Sequence, residues 1–426
     1  MLKMNKAKLN IYSASIAVFC SLLNWACFSS KSVNNYDYTY LYDDSQKLIK
    51  PSFKLFHHHE DSSILYYQLK SNNILYGRLD DSLLKARIWV KYRLYSDLGR
   101  SGILDSTTLK LVNYGHNDNA KILQGKISLK VPTGGIYPME IRFRDANKDL
   151  NVVYQIKVDK RENANDQYFL LLDGDKVLVE PIIDRQSKAI LHKSPLIEED
   201  HFTLQGSEHL HPMTTPPFAK SNTSIEEISY NYNKRITFIE DTFHLRHINS
   251  VNKISLNDND SVHPFFYYHF HSEYPKITDV NQLIQPIRYI STSSEYKSVT
   301  AAINKKKAID NFWLKLAKNE ERAKKLIKEY YSRIESANTY FSSYKEGWKT
   351  DRGIIYIVYG NPTTVYKTLD KEVWIYGEEN NILSLKFTFI RAKNPQSGND
   401  FRLIRNSDYK TNWYRAVDLW RQAKVL

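Results

Sequence analysis

The sequence predicts a multidomain, β-rich protein in which N-terminal β-sandwich modules of immunoglobulin-like type precede a C-terminal α/β (α+β) domain. Short stretches with a hydrophobic period of two, separated by turn residues, fill most of residues 61–292. From about Ser294, apolar residues recur at spacings of three, four and seven, which is typical of amphipathic helices. Five of the seven tryptophans lie at or beyond Trp313, so we expect an aromatic-rich C-terminal core that is distinct from the β modules.

Length and composition bound this architecture. The chain has 426 residues, of which 42% are hydrophobic and 25% charged, as in ordinary globular proteins. At roughly 100–200 residues per domain, a single small binding module is excluded. We divide the chain into a signal segment (1–27), a tether (28–60), two β-rich modules (61–160 and 161–292), and a helical segment with the C-terminal domain (293–426).

An export signal is predicted at the N-terminus. Three lysines lie within the first eight residues, and no charge follows between Lys8 and Lys31. The apolar stretch 11–23 has the length of a secretory signal and falls short of the roughly 20 residues that cross a bilayer. We therefore expect export to the cell envelope.

Both cysteines, Cys20 and Cys27, lie in or directly after this stretch, so after processing the chain has no cysteine pair for a disulfide or a metal site. The Ala26-Cys27 step resembles the lipobox of bacterial lipoproteins, whose cysteine becomes the acylated first residue, although Asn24 and Trp25 depart from that pattern. The resemblance implies lipidation at Cys27 and an outer-membrane lipoprotein that faces the periplasm. A soluble secreted form and an uncleaved membrane anchor are the alternatives.

Alternating stretches predict the strands of both β modules. In the first module they lie at 63–69, 86–95, 126–131, 137–144 and 150–158, and Trp89 is expected to face the core. In the second module, Asp173-Gly174 between two apolar runs predicts a hairpin. The proline-bounded stretch 212–217 predicts a loop.

Two helices are predicted in the C-terminal part, separated near Asn319. The second is expected to end at Gly347. A polar turn with Asp351 and Arg352 side by side then leads to a buried strand at 354–358, which a Gly-Asn-Pro sequence ends.

This turn carries the densest cluster of distinctive residues in the chain, namely Gly347, Trp348, Thr350, Asp351, Arg352 and Gly353. The Gly-Trp-Lys-Thr-Asp sequence resembles the signature of the GWxTD-domain proteins, exported proteins of Gram-negative bacteria that often look like lipoproteins. The similarity covers roughly residues 295–426 and extends to Tyr356, Tyr359-Gly360, Pro362, residues 373–376, Trp413, Trp420 and Arg421. The resemblance implies a cellular location and a class of protein, without an established activity.

Two roles are open for the motif residues. In a structural role, Thr350 and Asp351 hydrogen-bond turn amides, Trp348 packs on the helix and Arg352 pairs with a carboxylate. In a functional role, Asp351 and Arg352 form a polar recognition or catalytic site. Because Asp351 has no histidine, serine or second acid at a readable spacing, we assign no catalytic residue. The sequence also lacks the phosphate-binding loop, the dinucleotide fingerprint and Gly-x-Ser-x-Gly, so no cofactor is expected.

Histidines are the remaining candidate metal ligands. The groups are His57-His58-His59, His209/His211 and His269/His271, and residues two apart on a strand share a face. No established metal-binding spacing is present, so we expect no metal site.

The chain has 60 Lys and Arg against 47 Asp and Glu, a net charge of +13. Its longest basic run is only Lys305-Lys306-Lys307. We therefore expect the charges to be mainly solvated surface and expect no nucleic-acid partner.

Together these observations predict a non-catalytic cell-envelope lipoprotein that acts as a binding or assembly component and docks on an envelope protein or assembly. The first alternative is a glycan or peptidoglycan binder, which would show a line of exposed aromatic residues on one β face. The second alternative is a hydrolase with a site around Asp351.

Overall fold

The computed structural model describes residues 36–43, 48–78, 84–115, 121–148, 150–161, 165–220, 228–246, 248–256 and 264–425. Residues Asp37–Leu426 form one compact unit. The predicted signal segment 1–27, with the lipidation candidate Cys27, lies outside the described residues. Within the described ranges, no helix combines the length and hydropathy needed to cross a membrane.

The first β module consists of two antiparallel sheets around one core. Its strands are β1 (Ser52–His59), β2 (Ser62–Lys70), β3 (Gly77–Arg78), β4 (Leu84–Tyr95), β5 (Ile103–Gly115), β6 (Ile122–Lys130), β7 (Ile136–Asp145) and β8 (Leu150–Asp159). One sheet has the order β1-β2-β6, and the other has β3-β4-β7-β8 with β5 also paired to β4. Leu65 and Leu129 of the first sheet share a core with Val90, Ile141 and Phe143 of the second. The two sheets are therefore sandwich-like.

The second β region contains two four-stranded antiparallel sheets. Its strands are β9 (Phe169–Asp173), β10 (Lys176–Val177), β11 (Ala189–Lys193), β12 (His201–Ser207), β13 (Tyr232–Thr237), β14 (Thr242–His244), β15 (Val251–Ser255) and β16 (Phe265–Tyr268). The sheet orders are β10-β9-β11-β14 and β13-β12-β15-β16. The predicted hairpin is confirmed, because Asp173 pairs with Lys176 and Gly174 takes a φ of +58°. The predicted loop at 212–217 is also confirmed.

The C-terminal domain packs helices against one antiparallel sheet. The helices are α1 (Val280–Ile284), α2 (Ser293–Ala301), α3 (Lys305–Ala317), α4 (Glu320–Phe341), α5 (Asp351–Tyr359) and α6 (Tyr409–Arg421). The strands are β17 (Thr364–Lys367), β18 (Lys371–Tyr376), β19 (Leu385–Arg391) and β20 (Phe401–Leu403), in that order across the sheet. The predicted break between two helices is confirmed: Lys318 ends α3 in the left-handed region, and Asn319 caps α4 by accepting a hydrogen bond from the Arg322 amide.

Part of the predicted tether is folded. Tyr38 and Tyr42 are buried in the core of the C-terminal domain, and the Tyr38 amide donates a 2.8 Å hydrogen bond to the Val365 carbonyl. Strand β1 also lies in the range 28–60 and pairs with β2 along its length. The tether therefore does not extend through residues 37–43 or 52–59. Isolated aromatic residues in a polar stretch have no period that would reveal such docking.

Trp89 does not face the core, so that prediction was wrong. Its side chain is 40% exposed, whereas Ile88, Val90 and Tyr92 on the same strand are buried. Alternation places only one set of residues on the inner face. Ile88, Val90 and Tyr92 occupy the inner face of β4, and Trp89 therefore lies on the outer face.

The predicted strand at 354–358 is helix α5, and the preceding helix ends at Phe341 rather than at Gly347. Gly347 instead begins a short 3-10 turn, Gly347–Lys349. A run of β-branched and aromatic residues favours a strand on pattern alone. Because α5 is buried on all sides over 352–358, it has no polar face whose period would identify it as a helix.

Lys160 ties the ends of strands in the first module together. Its side chain is fully buried, and its ammonium group lies 2.6–3.0 Å from the carbonyl oxygens of His59, Glu60, Ser62 and Val131. Burial lowers the pKa of Lys160 to about 8, although the negative charges of Asp61 and Glu60 act to raise it. One cation thus satisfies four carbonyl groups at the turn between β1 and β2 and at the end of β6.

We expect Lys160→Met to lower the free energy of unfolding by about 2–4 kcal/mol, because buried carbonyl groups lose their donor. Urea unfolding followed by tryptophan fluorescence measures the change. Lys157→Met is the control, since Lys157 is 39% exposed and its partner Asp159 keeps the Arg161 guanidinium at 2.7 Å. Equal stability of the two variants would contradict the structural role of Lys160.

Candidate functional site

Two glycines of the motif allow three chain segments to meet without side chains between them. A Cβ atom on Gly347 would lie 2.0 Å from the Ala337 carbonyl oxygen of α4. A Cβ atom on Gly353 would lie 2.0 Å from the Gly347 carbonyl oxygen. Both contacts are with backbone, which cannot move aside easily. Glycine is therefore required for the last turns of α4, the 3-10 turn and α5 to pack together.

Thr350 and Trp348 fix the turn between these helices. The Thr350 hydroxyl accepts a 3.0 Å hydrogen bond from the Gly353 amide and donates a 2.7 Å bond to the Gly347 carbonyl, so Thr350 is the N-cap of α5. The Trp348 amide donates to the buried Asn338 side chain of α4 at 3.1 Å, and the indole packs on Tyr289. Thr350 and Trp348 therefore both take part in the capping and packing of this turn.

Asp351 joins α5 to two distant segments. Its Oδ1 accepts hydrogen bonds from Arg405 at 2.5 Å and from the Thr214 hydroxyl at 2.6 Å. Its Oδ2 accepts a 2.8 Å bond from the Leu403 amide of β20. Arg405 in turn donates to the carbonyl of Pro216 at 2.6 Å. The carboxylate therefore fastens the loop at 212–217 onto the C-terminal domain.

Arg352 is buried beside Asp351, with 1% of its surface exposed. Its guanidinium donates a 2.9 Å hydrogen bond to Glu372 and two further bonds, of 2.9 and 2.6 Å, to the carbonyl and side chain of Asn399. It lies between the rings of Phe341 and Phe401, at 5.1 and 4.4 Å from their centroids. The structure thus identifies Glu372 as the carboxylate that Arg352 was expected to need.

Glu372 is the acceptor at the centre of this network. It is fully buried and also accepts hydrogen bonds from Lys367 at 2.7 Å, Tyr42 at 2.9 Å and the Trp374 indole at 3.1 Å. Burial alone would raise the pKa of Glu372, but the charges of Lys367 and Arg352 outweigh it and lower the pKa to about 2. The side chain therefore remains a carboxylate in the folded protein.

Asp351 is bound by other groups of the protein. In the part of the chain that the structure describes, the hydrogen-bond partners of Asp351 are an arginine, a threonine and a backbone amide. General acid–base catalysis needs a group that exchanges a proton with a substrate, and nucleophilic catalysis needs a base beside the nucleophile. Neither arrangement is formed around Asp351.

The histidine groups lie in two separate places in the structure. His57 is buried against Ser63 and the Asp159 carbonyl, and burial lowers its pKa to about 4. The rings of His209 and His211 lie 4.6 Å apart and line a small pocket with His269. Across the described ranges, no three His, Cys, Asp or Glu side chains are grouped to hold a metal.

The motif alone does not reveal its partners Glu372, Asn399, Arg405 and Asn338. Glu372 carries one signal, because it is a charged residue followed directly by the apolar residues Val373 and Trp374 of the same strand. Arg405 and Asn399 lie in polar loop sequence and carry no such signal.

Fold and site together define a β-rich protein with several antiparallel sheets, whose C-terminal region is organised around a Gly-Trp-Lys-Thr-Asp turn. The family model of the GWxTD domain matches residues 252–422. The chain is therefore a GWxTD domain-containing protein. The match begins within β15, upstream of the boundary at 293 that the sequence suggested.

Similar solved structures include two β-glucuronidases of Bacteroides uniformis. A calcium binding mutant of β-glucuronidase 2 shows 12% identity over 27% of this chain and 14% of its own, with a TM-score of 0.19. A second β-glucuronidase shows 13% identity over 30% of this chain and 14% of its own, also with a TM-score of 0.19. These values are too low to support a conclusion about fold or function. No curated protein matches the sequence.

We expect Gly347→Ala to destabilise the C-terminal domain by about 3 kcal/mol or more, because its Cβ would collide with the α4 backbone. Thermal unfolding measures the effect. Gly398→Ala is the control, since its Cβ would meet only Arg391 at an ordinary 3.7 Å and should change stability by less than about 0.5 kcal/mol. A Gly347→Ala protein as stable as the control would contradict the close packing.

The Glu372 carboxylate predicts a specific acid sensitivity. Its pKa of about 2 in the folded protein lies below the ordinary value of 4.5, so its stabilisation is complete above pH 4.5 and is lost as the pH falls towards 2. In Glu372→Gln we expect lower stability at pH 7 and a smaller loss of stability between pH 4.5 and 2. Urea unfolding at several pH values tests this, with the exposed Glu378→Gln as control. An unchanged acid profile in Glu372→Gln would contradict the assignment.

Proposed function

We propose that the protein is a non-catalytic binding or assembly component of the cell envelope, exported and anchored by a lipid on Cys27. The observation that carries the proposal is the saturation of Asp351, whose two oxygens both bind groups of the protein itself. Asp351, the carboxylate that a hydrolase would need, thus binds other parts of the protein and helps to hold the fold together. This supports the non-catalytic role over a hydrolase.

The placement of the motif also supports a scaffold. Through Arg405, Asp351 fastens the loop at 212–217 of the β-rich region, and through Glu372, Arg352 holds Tyr42 of the N-terminal segment. The GWxTD domain is therefore the joint at which segments from three parts of the chain meet. A rigid joint of this kind suits a protein that presents binding surfaces to a partner.

The immunoglobulin-like character of the first β module belongs to the same proposal. Its support is the pair of antiparallel sheets that enclose one core between residues 52 and 159. Sandwiches of this kind occur in many cell-surface domains. In this proposal the module extends from the joint and carries a binding surface.

The test compares the wild type with Cys27→Ala and with the matched control Cys20→Ala in cells. We expect the wild type and Cys20→Ala to incorporate a palmitate analogue, to fractionate with outer membranes and to crosslink to the same discrete envelope protein. Cys27→Ala should lose the label and the membrane association. Retention of both by Cys27→Ala would contradict the lipid anchor.

A second arm tests the non-catalytic role. Asp351→Asn should lower thermal stability and reduce crosslinking only in proportion to the folded fraction, because the carboxylate acts through the fold. Asp370→Asn, at a side chain 78% exposed, is the control. Asp351→Asn protein of wild-type stability that no longer crosslinks would contradict this role and place the turn in a functional contact.

A further inference from the structure

The outer face of β4 carries a row of cations that are not contiguous in the sequence. Alternation buries Ile88, Val90 and Tyr92 and directs the residues between them outward. The outward residues from 85 to 93 are Lys85, Arg87, Trp89, Lys91 and Arg93. Because an apolar residue separates each pair, no contiguous basic run appears, although the cations share one face.

The neighbouring strands extend this row into a surface. On β5, Lys110 lies opposite Trp89. On β7, Arg144 lies opposite Trp89 and Arg142 opposite Lys91. Trp89 is thus flanked by cations on both sides. We name this surface the cationic face, which comprises Lys85, Arg87, Trp89, Lys91, Arg93, Lys110, Tyr114, Arg142 and Arg144.

Charge on the cationic face is strongly one-sided. Among the described outward positions of β4, β5 and β7, seven residues are cations and Glu140 is the carboxylate. Glu140 pairs with Arg142 at 3.4 Å and with Arg100 at 3.9 Å. A surface with this balance concentrates anions and attracts a polyanion over its whole length.

Two exposed aromatic rings lie on the same surface. Trp89 is 40% exposed and Tyr114 is 56% exposed, whereas Trp313, Trp374 and Trp420 are buried. Lys110 lies 5.4 Å from the Trp89 ring centroid, and Lys85 lies 5.4 Å from that of Tyr114. An exposed tryptophan leaves a large apolar ring in water, which packing within the fold does not explain.

Spacing and ring geometry favour an acidic polysaccharide as the occupant. Outward residues along a strand repeat every ~6.8 Å, so Lys85 to Arg93 span about 27 Å. An extended acidic glycan places carboxylate, sulfate or phosphate groups along such a path, and the C–H face of a pyranose ring can stack on Trp89. Single-stranded nucleic acid uses aromatic platforms for successive bases, whereas Tyr114 lies four residues along the sheet from Trp89.

We propose that the cationic face of the first β module binds an acidic polysaccharide, with the anionic groups paired to the Lys and Arg rows and one sugar ring stacked on Trp89. The proposal gives a ligand class to the binding role proposed above. It rests on that proposed function only in treating the protein as one that binds a ligand without catalysing a reaction. Binding in vitro needs no lipid at Cys27. A negative result here therefore leaves the anchor untested, and a failed anchor leaves this binding intact.

The experiment measures binding of the purified protein to heparin and to polygalacturonate by calorimetry at several salt concentrations. The triple variant Arg87→Gln, Lys91→Gln, Arg93→Gln should weaken heparin binding at least about 10-fold and flatten its salt dependence, because fewer counterions are released. The matched control Lys305→Gln, Lys306→Gln, Lys307→Gln removes the same charge from the longest contiguous basic run and should leave binding within about 2-fold.

The aromatic contact needs its own variants. Trp89→Ala should weaken polygalacturonate binding about 5- to 10-fold with an unchanged salt slope, and Trp89→Phe should restore most of it. Because Trp89 is exposed, both variants should fold, which circular dichroism checks. Equal losses in the two triple variants would overturn the assignment to the cationic face.

Nucleic acid and anionic membranes are the alternative ligands for the cationic face. A 12-nucleotide single-stranded DNA and vesicles with an anionic phospholipid are tested with the same variants. Binding of either one that is tighter than polygalacturonate binding and equally sensitive to Trp89→Ala would overturn the choice of polysaccharide. Dependence of polygalacturonate binding on Trp89, absent for DNA and vesicles, would support it.

Discussion

The buried ion pair between Arg352 and Glu372 is the interaction on which the C-terminal domain depends. Removing two charges from water is costly, and a buried pair is tolerated only when further hydrogen bonds satisfy both groups. Here Asn399 accepts two hydrogen bonds from the guanidinium, while Lys367, Tyr42 and Trp374 donate to the carboxylate. The start of α5, strand β18, the loop before β20 and the N-terminal segment are thereby fixed to one another.

The remaining motif residues make that pair possible. Gly347 brings the 3-10 turn into backbone contact with α4, Gly353 brings α5 into backbone contact with that turn, and Thr350 caps the start of α5. Asp351 and Arg352 then bind different partners, the first Arg405 and the second Glu372. Packing, capping and these hydrogen bonds account for the spacing of the motif residues.

The polar residues of the motif and the charged residues of the first β module differ in where their side chains lie. Thr350, Asp351 and Arg352 hydrogen-bond to other groups of the protein. The first β module instead directs cations and an exposed indole outward from β4, whose inward residues Ile88, Val90 and Tyr92 are buried. A substantial share of the net charge of +13 is therefore concentrated on one sheet, which a count along the chain does not show.

The sequence by itself determined the features that depend on near neighbours. Strands with a period of two, the turn at Asp173-Gly174, the helix start at Asn319 and the Gly-Trp-Lys-Thr-Asp motif are all set by local geometry. Tertiary structure decided which face of β4 is buried, and therefore that Trp89 lies outside. It also decided that residues 354–358 form a helix, because a fully buried segment has no polar face to show a period. The partners of Asp351 and Arg352 come from residues 54 and 20 positions away, and only the folded chain brings such distant groups within hydrogen-bonding distance.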